Sequence, residues 1–359
     1  MIKKALKIFL ANFSIFLFGL LLIEIFFGYW FDENNLGPYM REHRLKNSPV
    51  VLTYKNETFN YVYKRNYYGF RGEKMDPSKI EAVIIGGSTT DERYKPQRFT
   101  ITANLNTLLK NGGYNFEIVN AGIEGQSTFG HIYNFKHWFA KLKGFSPKLF
   151  IFYIGINDYG RWAENKKVED NLGGDGHVLN PDSMEAFLDN FKSRSFFYDR
   201  LRRIKHKYYL TAKTAKYDHK FYDDEDLSAF NYTNYEEALK IHDIEHLKLK
   251  YKKILDDYTN RVQILSKYVK SYGAKAIFIN QVVNEGLKDE NLFIHNYRLI
   301  EFCKEKNLSY IDLAKKMNGD INYWFDGLHT TTLGSKVISE LIIGDLVKII
   351  KKEQIFLIH

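Results

Sequence analysis

Ile84-Ile85-Gly86-Gly87-Ser88-Thr89-Thr90 closes a short apolar run, Ala82 to Ile85, with two glycines and a serine. Such a run reads as a buried strand of a parallel sheet. In open α/β sheets, ligands bind beyond the carboxyl ends of the strands, where the strand order reverses. Gly86 and Gly87 allow a sharp turn with no Cβ in the way, leaving the Ser88 hydroxyl to face a cleft. Gly-Gly-Ser at a strand end is also an ordinary turn, so its meaning depends on the stretches around it.

Downstream the same punctuation recurs. A helix-period stretch, Phe99 to Leu109, stops at Asn111-Gly112-Gly113. The next apolar run, Phe116 to Val119, ends at Asn120-Ala121-Gly122-Ile123-Glu124-Gly125-Gln126-Ser127. A helix presenting Ile132, Phe135, Trp138, Phe139 and Leu142 on one face leads to a third run, Leu149 to Ile154, and then Gly155-Ile156-Asn157-Asp158. Strand after strand ends in glycine and small polar residues, as an active site at a sheet edge requires. Residues 159–232 break this rhythm. They contain Gly173-Gly174-Asp175-Gly176 and a basic-aromatic stretch from Lys192 to Lys220, and read as an insertion over the cleft or on a membrane-facing side. A helix is expected from about Tyr235 to Tyr272, a strand over Lys275 to Ile279, a helix over Glu290 to Lys306, and a fifth strand at Tyr310-Ile311-Asp312-Leu313. The loop Trp324-Phe325-Asp326-Gly327-Leu328-His329-Thr330 precedes a last helix, Thr332 to Lys351.

Upstream lies a segment of another kind. From Ile8 to Ile23 the chain is apolar except for Asn12 and Ser14, and Ile25 to Phe31 extend it past Glu24. That length spans a bilayer. Lys3, Lys4 and Lys7 precede it, so the positive-inside rule places the N-terminus in the cytoplasm and the rest of the chain outside. No small-x-small cleavage site succeeds the apolar run, which favours an uncleaved signal anchor over residues 1–31. Glu24 is tolerable near the outer edge of the span, and Tyr29 and Trp30 fit the interface there. Residues 32–78 read as a linker and domain-edge segment. Within it, Asn66 to Gly72 reads as a turn in which Arg71 is a surface arginine, or else faces an anion. The body of the protein is then residues 79–359, on the extracytoplasmic side of the cell membrane.

Composition narrows the partners. The single cysteine, Cys303, rules out an internal disulfide and is expected in a buried helix. A net charge of +9 favours anionic surfaces such as phospholipid headgroups or acidic glycans. An anchored outside domain makes nucleic acid an improbable partner. The aromatic share of 16% suits aromatic-lined clefts. No zinc-type Cys/His spacing or phosphate-binding glycine loop is present.

The chemistry converges on five residues. A serine hydroxyl needs an adjacent base to act as a nucleophile, and His329 is the candidate. Asp326, three residues earlier, can orient the imidazole and stabilise its protonated form. The oxyanion formed on the attacked carbonyl needs preorganised donors, and the Ser88 amide, the Gly125 amide and the Asn157 side-chain amide are the candidates. Individually, Asn157 could be a helix cap, Asp326 a turn residue and His329 a surface histidine.

In this order these stretches resemble the SGNH (GDSL-like) hydrolase superfamily over about residues 80–345. Ser88 matches the first-block nucleophile, Gly125 the second-block glycine, Asn157 the third-block asparagine, and Asp326 with His329 the closing Asp-x-x-His. Gly122 is a second candidate for the glycine role. The first block departs from the usual Gly-Asp-Ser, with Gly87 where aspartate is common and Thr89 where leucine is. Gly-Gly-Ser variants resemble membrane-anchored envelope members. The resemblance implies a flavodoxin-like three-layer α/β/α sandwich with a five-stranded parallel sheet. It also implies acyl transfer through a serine ester without metal or organic cofactor. The expected function is an esterase removing acyl, foremost acetyl, groups from cell-envelope polysaccharide, so that the partners are an acylated glycan or other ester and the membrane. The alternatives are a polysaccharide O-acyltransferase, a lipid esterase, and a catalytically silent glycan-binding scaffold.

Overall fold

The computed structural model describes residues 2–32, 48–54, 57–73, 75–159, 184–201, 204 and 230–356. Gly173 to Gly176 and most of the basic-aromatic stretch lie outside the described residues. The chain divides into two units, residues 1–43 with 179–215, and residues 44–178 with 216–359.

In the first unit, α1 (Ile2–Phe27) is the apolar segment anticipated above, long and apolar enough to cross a membrane and with none of its apolar window buried. α5 (Met184–Arg194) lies beyond it in sequence, followed by helical residues at 196–201. Glu24 has a structural use here. Its carboxylate accepts from the amides of Phe196 at 3.0 Å and Phe197 at 3.2 Å, and from Trp30 Nε1 at 3.2 Å. A carboxylate on the first free amides of a helical turn satisfies donors that have no partner within the helix.

The second unit begins with an antiparallel hairpin, β1 (Ser48–Tyr54) and β2 (Glu57–Tyr63). This stretch falls in the region expected to be a linker and domain-edge segment. Val50, Leu52 and Tyr54 alternate with more exposed neighbours, and with Tyr63 they form a small core against Tyr94 and Phe325. The hairpin is thereby built into the unit that carries Ser88.

The main sheet is parallel and has five strands: β3 (Ala82–Gly86), β4 (Ile118–Asn120), β5 (Leu149–Tyr153), β6 (Lys275–Ile279) and β7 (Ser309–Ile311). Their order is β4-β3-β5-β6-β7. Every residue of β3, β4 and β5 is buried, as expected of strands covered on both faces. Registers such as Ile84 opposite Ile151 and Gly86 opposite Tyr153 align the carboxyl ends of β3 and β5. The helices of this unit are α2 (Ser88–Asp91), α3 (Ile101–Asn111), α4 (Thr128–His137), α6 (Tyr235–Ile241), α7 (Ile244–Lys250), α8 (Lys252–Ser271), α9 (Glu290–Glu305), α10 (Leu313–Lys316) and α11 (Thr332–Lys352). α3 packs on α11, and α8 packs on both α4 and α9. Right-handed crossovers put the first pair on one face of the sheet and the other three on the opposite face. The result is the three-layer sandwich with flavodoxin-like strand order.

Two expectations need adjustment. The helix expected over Tyr235 to Tyr272 is three helices, because Asn234 and Glu237 form a capping box that starts α6 and Asp243 caps α7 through the His246 amide at 3.0 Å. Arg71 is not a surface arginine. It is buried, its guanidinium donating to the carbonyls of Asp91 and of Lys95, the latter at 2.7 Å. Cys303 is buried in α9 as anticipated, and burial pushes its thiol up to about 12.

Candidate active site

The strand order reverses at β3, with β4 on one side and β5 on the other, and the three loops leaving these strands carry Ser88, Gly125 and Asn157. Ser88 is the first residue of α2. His329 and Asp326 come from the loop before α11. This loop is tied down by the Tyr54 hydroxyl, which donates to the Trp324 carbonyl at 2.9 Å, and by the Phe325 amide, which donates to the His329 carbonyl at 2.7 Å. Phe325 meets Tyr54 edge-on, with 4.8 Å between ring centroids. The hairpin absent from the sequence expectation thus fixes the loop that carries the base.

Ser88, His329 and Asp326 form a continuous hydrogen-bonded chain. His329 Nε2 lies 2.9 Å from Ser88 Oγ, and His329 Nδ1 lies 2.8 Å from Asp326 Oδ2. With the Nδ1 proton directed to the carboxylate, Nε2 is an acceptor for the serine proton. The other Asp326 oxygen accepts from the amides of Leu328 and His329, each at 2.7 Å. Burial alone would raise the Asp326 carboxyl. The bonds from His329 and the two amides outweigh it and hold the group well below the usual carboxylate range. The aspartate therefore stays ionised beside the imidazole. The Tyr94 ring packs edge-on against His329 at 4.8 Å.

Gly125 occupies the third position of the turn from Ile123 to Gln126, with φ of 71°. A type II turn demands that positive value, and glycine adopts it without strain. Neither its amide nor that of Ser88 donates to an acceptor among the described residues. Gly122 is differently employed. Its amide donates to Asn120 Oδ1 at 2.9 Å, and its carbonyl accepts from Arg65. Asn157 donates from Nδ2 to the Gln126 carbonyl at 2.9 Å, which joins the β5 loop to the Gly125 turn. Gly87 sits beneath this amide. A Cβ at position 87 would lie 2.1 Å from Asn157 Nδ2. A side chain at position 87 would displace the Asn157 amide.

A buried polar network supports the serine turn, and little in the sequence announces it. Asp91, the last residue of α2, accepts from Tyr63 Oη at 2.7 Å and Arg65 Nη2 at 2.6 Å. Burial would raise its carboxyl, but Arg65, Arg93 and Arg71 hold it down. A second buried pair lies beside it: Lys95 Nζ donates to Glu92 Oε1 at 2.9 Å, to Thr330 Oγ1 at 3.0 Å and to the Thr331 carbonyl at 3.1 Å. Desolvation lowers the Lys95 ammonium despite Glu92. Through Lys95 the segment after Ser88 is bonded directly to the residues after His329. Among the described residues no group of three or more His, Cys, Asp or Glu could hold a metal ion.

Residues 84–337 match the family model of the GDSL-like lipase/acylhydrolase family, and the chain belongs to that family. No curated protein matches the chain. Among solved structures, it is similar to the psychrotrophic esterase EstA from Pseudoalteromonas sp., at 10% identity and a TM-score of 0.43, over 76% of this chain and 98% of that one. It is also similar to Axe2, an acetylxylan esterase from Geobacillus stearothermophilus, at 13% identity and a TM-score of 0.41, over 75% of this chain and 96% of that one. A member of the lipolytic G-D-S-L family from Veillonella parvula is 11% identical with a TM-score of 0.40, over 74% of this chain and 97% of that one.

Proposed function

We propose that the chain is a serine esterase in which Ser88 is the nucleophile, His329 the general base and acid, and Asp326 the group that orients and stabilises the imidazole. The observation that carries this reading is the unbroken hydrogen-bonded chain from Asp326 through His329 to Ser88, at 2.8 and 2.9 Å. Ser88 Oγ attacks the acyl carbonyl as its proton passes to His329 Nε2. The carbonyl oxygen becomes an oxyanion facing the amides of Ser88 and Gly125 and the Asn157 Nδ2 group, donors worth about 2.7–4 kcal/mol each in the transition state. The imidazolium then protonates the departing alkoxide, leaving an acyl ester on Ser88. Water attacks that ester with His329 again as base, the acid departs, and the serine is regenerated.

The substrate class we infer is an O-acyl, foremost O-acetyl, ester of a cell-envelope polysaccharide. α1 supports this by its length and apolarity, with Lys3, Lys4 and Lys7 ahead of it, which favour a span with the N-terminus inside and the hydrolase unit outside. The aromatic share of 16% suits a sugar-bearing substrate.

The test is hydrolysis of p-nitrophenyl esters of increasing chain length by wild type and Ser88→Ala, followed by acetylated oligosaccharides. p-Nitrophenol release confined to short-chain esters, and acetate release from the oligosaccharides, both lost in Ser88→Ala, are the expected result. Preference for long chains would move the substrate to lipids. Acetyl transfer to an added oligosaccharide, with no hydrolysis, would make the enzyme a transferase. Glycan binding that is unchanged in Ser88→Ala, with no turnover by wild type, would make it a binding module.

A further inference from the structure

Apolar residues recur along one side of α5, and that side is exposed over its length. Met184, Phe187, Leu188 and Phe191 stand at i, i+3, i+4 and i+7, one stripe on a helix, and each is between 45 and 71% exposed. Glu185, Asp189, Asn190, Lys192 and Ser193 occupy positions of the sequence between and beyond them. Its carboxyl end is bonded to the far end of α1. The Tyr29 amide donates to the Arg194 carbonyl at 2.8 Å, the Phe191 ring meets Trp30 edge-on at 5.2 Å, and Phe196 packs on Phe27 at 5.7 Å. Glu24 completes the joint through the amides of Phe196 and Phe197.

We infer that α5 lies in the headgroup–acyl boundary of the same bilayer that α1 spans, with the Met184–Phe191 stripe turned into the acyl region. The inference rests on the reading of α1 as a membrane span. The position of the joint carries it. Tyr29 and Trp30 are residues of the interfacial aromatic belt, and Phe191 touches one of them, so the stripe begins at interfacial depth. Phe27, exposed at the end of α1, packs on Phe196, and Trp30 packs on Phe191 at the carboxyl end of the α5 stripe. A helix with an exposed apolar stripe of this kind is the form that buries its apolar side a few ångströms into a leaflet. Lys192, Arg194 and Arg200 supply cations at that level, where anionic headgroups attract them and long stems reach out of the apolar layer. Glu24, costly in a span by itself, acts as the latch that holds the second helical element at the leaflet surface.

Site-directed spin labelling of the full chain in phosphatidylcholine vesicles containing phosphatidylglycerol tests this directly. The only native thiol, Cys303, is buried and does not compete for label. Labels are placed through Phe187→Cys and Met184→Cys on the stripe, Lys192→Cys on the polar face and Leu17→Cys in α1, and accessibility to oxygen and to a water-soluble nickel chelate is compared. Phe187→Cys and Met184→Cys labels are expected to meet oxygen several-fold more than nickel, at shallower depth than the Leu17→Cys label, with the Lys192→Cys label aqueous. A lipid-embedded Leu17→Cys label combined with an aqueous Phe187→Cys label overturns the inference while leaving the anchor intact. Occlusion of the stripe from both reagents, as a protein partner or a second copy would produce, also overturns it. An aqueous Leu17→Cys label refutes the anchor and the inference together.

Discussion

Gly87→Ala probes the contribution of Asn157 while leaving Ser88, His329 and Asp326 unsubstituted. Gly87 has φ of −86° and ψ of −149°. The alanine Cβ would stand 2.1 Å from Asn157 Nδ2 and 3.4 Å from Asn157 Cγ, against a practical minimum of 3.0 Å. The asparagine amide must retreat by about 1 Å, and it is the free end of a side chain, so it can. Folding then loses little beyond the bond from Nδ2 to the Gln126 carbonyl, about 1 kcal/mol. Catalysis loses an aligned oxyanion donor, which corresponds to roughly 10²–10³ in kcat. Steady-state kinetics with p-nitrophenyl acetate, together with denaturant unfolding, separate the two effects. The expected outcome is kcat down by about 100-fold with KM little changed and the fold retained. Asn157→Ala should give a similar loss, and the double variant should be no worse than Asn157→Ala alone. Wild-type kcat in Gly87→Ala, or losses that multiply in the double variant, would refute the role given to Asn157.

Three further outcomes are expected. Asp326→Asn should lower kcat by about 10³–10⁴, since the amide favours the wrong imidazole tautomer, and its stability deficit should depend on pH. The folded Asp326 carboxyl lies below its unfolded value of about 3.9. Its stabilisation is therefore fully present above that pH and is lost as pH falls toward the folded value, so the gap between wild type and Asp326→Asn in urea melts should narrow below about pH 4. Lys95→Met should destabilise by about 3–5 kcal/mol because it strands the buried Glu92 carboxylate. Lys95→Met combined with Glu92→Gln should recover part of that loss, and a double variant as unstable as the sum of its parts would argue against the pairing.

Much of the site was legible because its chemistry lies at strand ends. Apolar runs such as Leu149 to Tyr153 are unmistakable when both faces are buried, and the residue of interest comes within a few positions of each. The hairpin was harder to read. Val50, Leu52 and Tyr54 do alternate with Val51 and Thr53, but Val51 is itself apolar, and Lys55-Asn56 lacks the glycine that announces a tight hairpin. The division of the helix after Tyr235 hid in Asp243, which looks like one more polar residue in a helical pattern until it caps α7. Arg65, Asp91 and Gly122 are far apart in the chain and have no periodic signal. Only the topology brings them together, so a buried arginine such as Arg71 is indistinguishable in sequence from a solvated one. The bond from the Gly122 amide to Asn120, which sets it apart from Gly125, likewise has no sequence signal.

Ser88 is proposed as the nucleophile that His329 activates. Reaction of the full chain with a fluorophosphonate, then intact-mass measurement and peptide mapping, tests it most directly. A single phosphonyl adduct on Ser88 is predicted, absent from Ser88→Ala and strongly slowed in His329→Ala. An adduct on another residue, or ester hydrolysis that survives in Ser88→Ala, would contradict it.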